Sequence, residues 1–439
     1  SAALHLGPGH YGLCLGNGPR CTGLRVNAVD RDVRAVRGIN LTLWQPGENP
    51  EAAYAGVSAG LIGCRAQNLR GLSVAGLGVV ARETVGGVSL AGFGVGAGRL
   101  WGAGGGLILV QVDGPVAGVG VAGWSAQASG RVRGLLAGGM KADAGPTTGL
   151  VLAGGLSRAA SLDGVGAGTV VWSSRARGLM IGAGFAVADT LSGIALGGVG
   201  AGSGAHLSGI AVGLGGAGVG RDLTGMAGGG LGTVVGRNAR GLVAGGLLAV
   251  VDQDLTGAAI GPLGVAWARN VRGLVVGGGG SGAGQDLTGV AVGGLGTGAG
   301  RNLTGAALSA GVVASGGNLR GIAAAGLATA SADSITGLAT GLVFVGAGRS
   351  IRGVAVAGLT CLSPEVTGVA TAVFNGAIVR RVSLEEFLVF HKANDRFTGI
   401  AIGLVNYTRN LRGVQLGALN YAGNNPPWLR LLPLVNVHL

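Results

Sequence analysis

A glycine returns every 14 to 16 residues along most of this 439-residue chain, each time closing a phrase such as Asn-Leu-Arg-Gly or Asp-Leu-Thr-Gly. The series starts at Gly56, Gly71 and Gly87 and ends at Gly368. Its most regular stretch is Gly225, Gly241, Gly257, Gly273, Gly289, Gly305, Gly321, Gly337 and Gly353. A period this short cannot hold a helical hairpin, so the unit is β structure. The repeat runs almost end to end without a linker, so residues 1–439 read as one repeat-built β domain with no catalytic domain inserted.

The balance of charge and hydropathy points away from an ordinary soluble surface. Charged residues make up only 11% of the chain, against about 25% in typical soluble domains, and the mean hydropathy is +0.55. No long run of large apolar residues reads as a membrane helix, because glycine interrupts every candidate. Membrane insertion would therefore require closed β structure. The formal net charge of +13 is spread one or two arginines per repeat, with only seven Phe and four Tyr for base stacking. Nucleic acid is excluded as a partner on that pattern. Anionic lipid headgroups or lipopolysaccharide phosphates suit it better, with Arg240, Arg272, Arg320, Arg352 and Arg412 as the contact candidates. The first residues, Ser-Ala-Ala-Leu, lack an initiator Met and agree with an exported chain whose signal has been removed.

Within one repeat, Gly289 to Leu303, the larger apolar residues are Val290, Val292 and Leu295. Gly and Asn mark the turn phrases and β-branched residues fill the strand positions. The turn glycine is expected to supply a positive φ or a close backbone approach. Stretches such as 84–98, 207–220 and 287–300 contain no charge, and Arg99, Arg221, Asp222, Asp286 and Arg301 fall between such stretches. Those lengths match the 9–11 tilted residues that cross a bilayer core. Two all-β architectures compete. One is a large transmembrane antiparallel barrel or meander of about 24–28 strands. The other is a parallel β-solenoid of 16-residue coils. Hydropathy favours the barrel. The apolar phase favours the solenoid, because Val290 and Val292 share a face that Leu295 leaves, with Gly293 and Gly294 at a possible corner. The alternation of Arg and Thr before the turn glycine slips at Thr288 and Thr304 and serves either architecture. The ending Leu-Arg-Leu-Leu-Pro-Leu-Val-Asn-Val-His-Leu decides for the barrel, as a closing apolar strand where a solenoid needs a polar cap.

Gly399–Asn406 (G-I-A-I-G-L-V-N), Gly413–Asn420 (G-V-Q-L-G-A-L-N) and the phrase Asn410-Leu411-Arg412-Gly413 carry a family resemblance. The chain resembles bacterial surface-repeat proteins built from Gly-Leu-x-x-Gly-Leu-x-Asn units. The resemblance implies export to the cell envelope and no catalytic residues. The middle repeats depart from it, with Gly and Ala in place of Gln and Asn.

Catalytic and metal motifs do not rise above chance in a chain with 98 glycines. Gly56-Val57-Ser58-Ala59-Gly60 matches a nucleophile elbow but no helix follows it. Gly213–Gly218 fits G-x-G-x-x-G without a helix N-terminus. The five His lack ligand spacing. Cys14 and Cys21 could close a small loop, while Cys64 and Cys361 read as small core residues. Residues 380–396 break the rhythm with the densest charge in the chain, as an inserted loop or short amphipathic helix. A porin needs one polar strand face, and here both faces are apolar. The expectation is therefore an outer-membrane barrel, a homo-oligomer, that encloses or organises lipid without enzymatic activity or cofactor. The alternatives are a solute-conducting porin and a secreted β-solenoid serving as surface adhesin or filament subunit.

Overall fold

The computed structural model describes residues 3–44, 46, 47, 49–376 and 396–439, and these form β-strands and turns without a helix. The residues fall into two compact units, 1–215 and 216–439. Each unit is a parallel β-solenoid, so the barrel is corrected and the alternative architecture holds. The insertion expected at 380–396 lies outside the described residues except for Arg396, which opens the strand Arg396–Ile402.

One coil shows how the repeat folds. Leu287–Gly293 forms a seven-residue strand and Gly296–Ala299 a four-residue strand, with Gly294 and Leu295 bending the chain between them. Gly300 and Arg301 make the second bend, and the next coil begins at Leu303. That coil lays Leu303–Ser309 and Val312–Ser315 on the same two strands in parallel, with Leu287 opposite Leu303 and Gly293 opposite Ser309. Adjacent coils are therefore about 4.8 Å apart. A neutral stretch long enough to cross a bilayer is instead two short strands and a corner. The charges beside it gather where one coil passes to the next, and no headgroup layer is needed to explain them.

The interior of this coil takes one Leu and otherwise small side chains. Leu287, Ala291, Thr297 and Ala299 are buried, and Thr297 satisfies its hydroxyl with the Leu308 carbonyl at 3.0 Å and the Ser281 hydroxyl at 3.2 Å. The larger residues Val290 and Leu295 point outward, Leu295 being 78% exposed.

The periodic glycine has two reasons to be glycine. From Gly225 to Gly353 the nine regular ones have φ between 122° and 137°, a region that side chains strongly disfavour. They also stack directly, as in Gly273, Gly289 and Gly305. A Cβ on Gly289 would land on the Gly273 carbonyl oxygen, far inside contact distance. Both expectations for the turn glycine thus hold at one position, at a coil contact and not at a hairpin reversal.

Both termini fold back antiparallel within their own units. In residues 1–215, Ala3–Leu6 pairs with Tyr11–Gly16, and Cys14 and Cys21 form a disulfide across the first coils. In residues 216–439, Leu431–His438 pairs with Leu411–Ala422. This is the segment expected to close a barrel, and it covers the edge of the last coil instead. Asn424 helps by bonding both backbone groups of Leu411 at 2.9 Å, as a neighbouring strand would. Beneath the cap, buried amides form a ladder. Asn375 donates to Asn406 at 2.8 Å and Asn406 donates to Asn420 at 2.7 Å.

Replacing Gly289 by Ala is expected to destabilise the protein by more than the about 1–3 kcal/mol that positive-φ strain alone costs, because the Cβ also meets backbone. Replacing the exposed Gly218, whose Cβ meets nothing within 4 Å, is expected to be near neutral. Denaturant midpoints of the two variants check this, and equal midpoints would contradict the stacking account.

Candidate functional site

The outward-facing columns are the candidate site, and in residues 216–439 they separate sharply by polarity. The residue before each turn glycine is Thr or Arg, in the in-register order Thr224, Arg240, Thr256, Arg272, Thr288, Thr304, Arg320, Thr336 and Arg352. The slip at Thr288 and Thr304 is a direct Thr-on-Thr contact between coils. Arg240, Arg272, Arg320, Arg352 and Arg412 are all exposed. None has an ion pair or hydrogen bond among the described residues. The arginines chosen from the sequence therefore do form one column, but on a solenoid edge and not at a barrel rim.

Three residues before each turn glycine runs a second polar column: Asp222, Asn238, Asp254, Asn270, Asp286, Asn302 and Asn318. Asn238 donates to Asp222 at 3.0 Å, Asn270 to Asp254 at 2.8 Å and Asn302 to Asp286 at 3.0 Å. The alternation keeps carboxylates two coils apart, which avoids like charges face to face. Arg301 leans back on Asp286 at 2.9 Å and Gln285 at 2.8 Å. From Arg221 to Arg412, twelve arginines and six carboxylates are described, and every one lies on this edge or its adjoining bend. A groove of about 880 Å³ runs between the two columns, from Asp222 to Thr304.

The remaining outward positions of this unit carry no charge and are apolar apart from Thr340, Thr360 and Thr371. The first and third residues after the turn glycine include Met226, Val290, Leu308, Ile322, Leu338, Val354 and Ile400, all partly or well exposed. The bend contributes Leu231, Leu263, Leu295, Leu327 and Leu359. On the short strand the outward column reads Gly218, Val234, Val250, Trp267, Gly282, Gly298, Ala314, Ala330, Gly346 and Leu362. Farther along, Tyr407 and Tyr421 stack with ring centres 4.8 Å apart. Residues 1–215 are less sharply divided, because their short-strand column carries Arg65, Gln111, Gln127, Asp143 and Arg158. Arg158 sits 4.6 Å over the Trp172 ring, a cation–π contact.

The first coils hold a buried polar cluster that nothing in the sequence singles out. Arg25, fully buried, meets Asp30 at 2.6 Å and Asn40 at 2.9 Å. Asp30 also accepts from Thr42 at 2.7 Å, Tyr54 at 3.1 Å and Asn40 at 3.2 Å. Its partners lie 3 to 24 residues away, and in-register stacking gathers the distant ones. Burial pushes the Asp30 carboxyl up, but Arg25 and the Thr42, Asn40 and Asn27 hydrogen bonds outweigh it and hold the carboxyl below its ordinary 3.8. Burial, then the Asp30 charge, pushes the Tyr54 phenol well above its ordinary 10. Ser58, the nucleophile-elbow candidate, is buried in the inward column between Asn40 and Ser73 and reaches no cleft. Among the described residues, no group of three or more His, Cys, Asp or Glu is placed to hold a metal ion.

Two pH limits follow. A depressed Asp30 stabilises the fold above about pH 4 and is lost on acidification, while a raised Tyr54 stabilises it below about pH 10 and is lost in alkali. Thermal midpoints from pH 2 to 12 should form a plateau, with Tyr54→Phe removing the alkaline fall. Asp30→Asn should cost about 3–5 kcal/mol, since it strands the Arg25 charge. Burial also pushes the Cys64 and Cys361 thiols up to about 12, so neither should react with iodoacetamide at pH 8 until the chain is unfolded. Labelling of the native protein would contradict their burial.

No protein family matches the chain, and no curated protein or solved structure is similar to it.

Proposed function

We propose that this protein is a non-catalytic β-solenoid of the bacterial cell surface, acting as a filament subunit or adhesin, in which residues 216–439 associate through their apolar columns. The observation that carries this reading is the segregation of every described coil charge of that unit onto one edge. A long-strand face contributes roughly 100 Å² per coil, given about 4.8 Å between coils and about 3.3 Å per residue. Five coils already reach the few hundred Å² that soluble monomers rarely exceed. The unit has twelve turn glycines from Gly225 to Gly413, so a complete face offers on the order of 1,200 Å², above the about 800 Å² per partner of a standard interface.

A second copy is a well-matched occupant. Two such faces have the same coil spacing, so the ridges of one mesh with the furrows of the other, and pairing them buries no charge. The depression of about 350 Å³ left by Ala310 and Ala324 beside Leu308 would accept a partner's side chain. The resemblance to bacterial surface-repeat proteins supports the location. The open column from Arg240 to Arg412 favours one further contact, with the phosphates of lipid or lipopolysaccharide beside the apolar face.

The protein should be recovered without detergent and should self-associate in sedimentation velocity. The triple variant Val290→Glu, Ile322→Glu, Val354→Glu should weaken association at least tenfold while leaving the circular dichroism spectrum unchanged. A wild-type chain that stays monomeric at high concentration would sink the filament reading. Vesicles containing phosphatidylglycerol test the phosphate contact, which fails if Arg320→Gln with Arg352→Gln binds them as well as the wild type.

A further inference from the structure

The polar edge of residues 216–439 has a second period, two coils long. Asp-x-Thr-Gly coils alternate with Asn-x-Arg-Gly coils from Asp222 to Thr288. The inward residue between the two polar positions is Leu in the Asp coils and Ala or Val in the Asn coils, so it repeats every two coils as well. Guanidinium groups therefore stand about 9.6 Å apart, twice the coil spacing, with carboxylates offset from them by one coil. The groove between the columns is open and linear.

Its free cationic charge is specific in place. Arg240 and Arg272 line the groove, are exposed and have no ion pair or hydrogen bond among the described residues. Arg301, at the groove's end, is already held by Asp286 and Gln285. Around the two free arginines stand the Asp254 carboxylate, the Asn238 and Asn270 amides, and the Thr256 hydroxyl. Such groups accept from and donate to hydroxyls.

We infer that this groove binds a linear acidic polysaccharide bearing one carboxylate or sulfate per disaccharide. A rod-like ligand fits an open groove that repeats along the coil stack. One anion for every two sugars fits one guanidinium for every two coils, and the sugar hydroxyls face the Asp, Asn and Thr rows. Denser polyanions fit poorly. A nucleic acid strand carries a charge about every 3.4 Å, roughly three per arginine interval, and the surplus would face Asp254 and Asp286. The groove also has no aromatic side chain for base stacking. The apolar columns play no part here, so this site and the self-association surface stand or fall separately.

The test uses the full chain and fluorescently labelled hyaluronan oligosaccharides, with one carboxylate per disaccharide, in anisotropy titrations at physiological salt. Oligosaccharides of κ-carrageenan of matched length, with one sulfate and no carboxylate per disaccharide, separate sulfate from carboxylate recognition, and a neutral cellodextrin and heparin bracket the charge density. Hyaluronan or κ-carrageenan should bind, more tightly than the neutral chain and with less salt sensitivity than heparin. Arg240→Gln with Arg272→Gln should weaken that binding about tenfold or more, as expected for lost charge-assisted hydrogen bonds. Arg320→Gln with Arg352→Gln, in the same column outside the groove, should leave it unchanged. Both double variants sit on exposed positions and should keep the wild-type melting curve. Absence of binding to either alternately charged polymer would overturn the inference. So would equal losses in the two double variants, since that pattern means charge attraction without a site.

Discussion

Everything regular in this protein depends on the contact between one coil's glycine and the backbone of the coil before it. With a carbonyl oxygen where a Cβ would go, the coils can approach to strand-pairing distance at the one point where the chain takes a positive φ. Once that contact fixes the register, every other position stacks on the equivalent position of the next coil. Hydroxyls meet hydroxyls, as Ser281 meets Thr297, and amides meet amides, as Asn375 meets Asn406. Charges cannot tolerate this rule, so Asp alternates with Asn and Arg with Thr.

The same geometry explains why so apolar a chain need not cross a membrane. A coil of two short strands encloses a narrow cross-section filled by Leu, Val, Ile, Ala, Gly, Ser and Thr. Once its few inward positions are filled, further apolar residues face outward, as Val290, Leu295 and Trp267 do. The high hydropathy therefore reports a thin core and an apolar exterior together. Polar groups that do enter the interior gather at the Asp30 carboxylate, which accepts from several donors, and along the asparagine ladder, where each amide donates to the next. Both sit near chain ends, where the coils depart from the regular pattern.

The repeat, its glycine and the spacing of its charges were legible in the sequence, because stacking imposes them on every coil. The choice between barrel and solenoid was not. A bilayer-crossing strand and a two-strand coil have similar neutral lengths, and Gly with Asn marks a hairpin turn and a coil bend alike. The phase break at Leu295 pointed the right way. It was outweighed by the apolar ending 429–439, whose strand in fact lies antiparallel on the last coil, with Asn424 and Asn436 supplying the polar capping groups that the composition obscured. The column of free arginines could be named from the sequence, whereas the Arg25–Asp30 cluster could not, since its members share no motif and meet only across several coils.

The two-coil alternation also limits how such a chain can change in length. Adding or deleting two coils preserves the pairing of Arg with Thr and Asp with Asn. A single coil shifts one side of the stack out of phase and sets like charges together at the junction. The exception is a junction where both coils are neutral at the position before the glycine, and Thr288 on Thr304 is one. That contact is where an odd coil can be accommodated, and it resets the phase for Arg320 and Arg352; Thr367 on Thr398 is a second such contact, before Arg412.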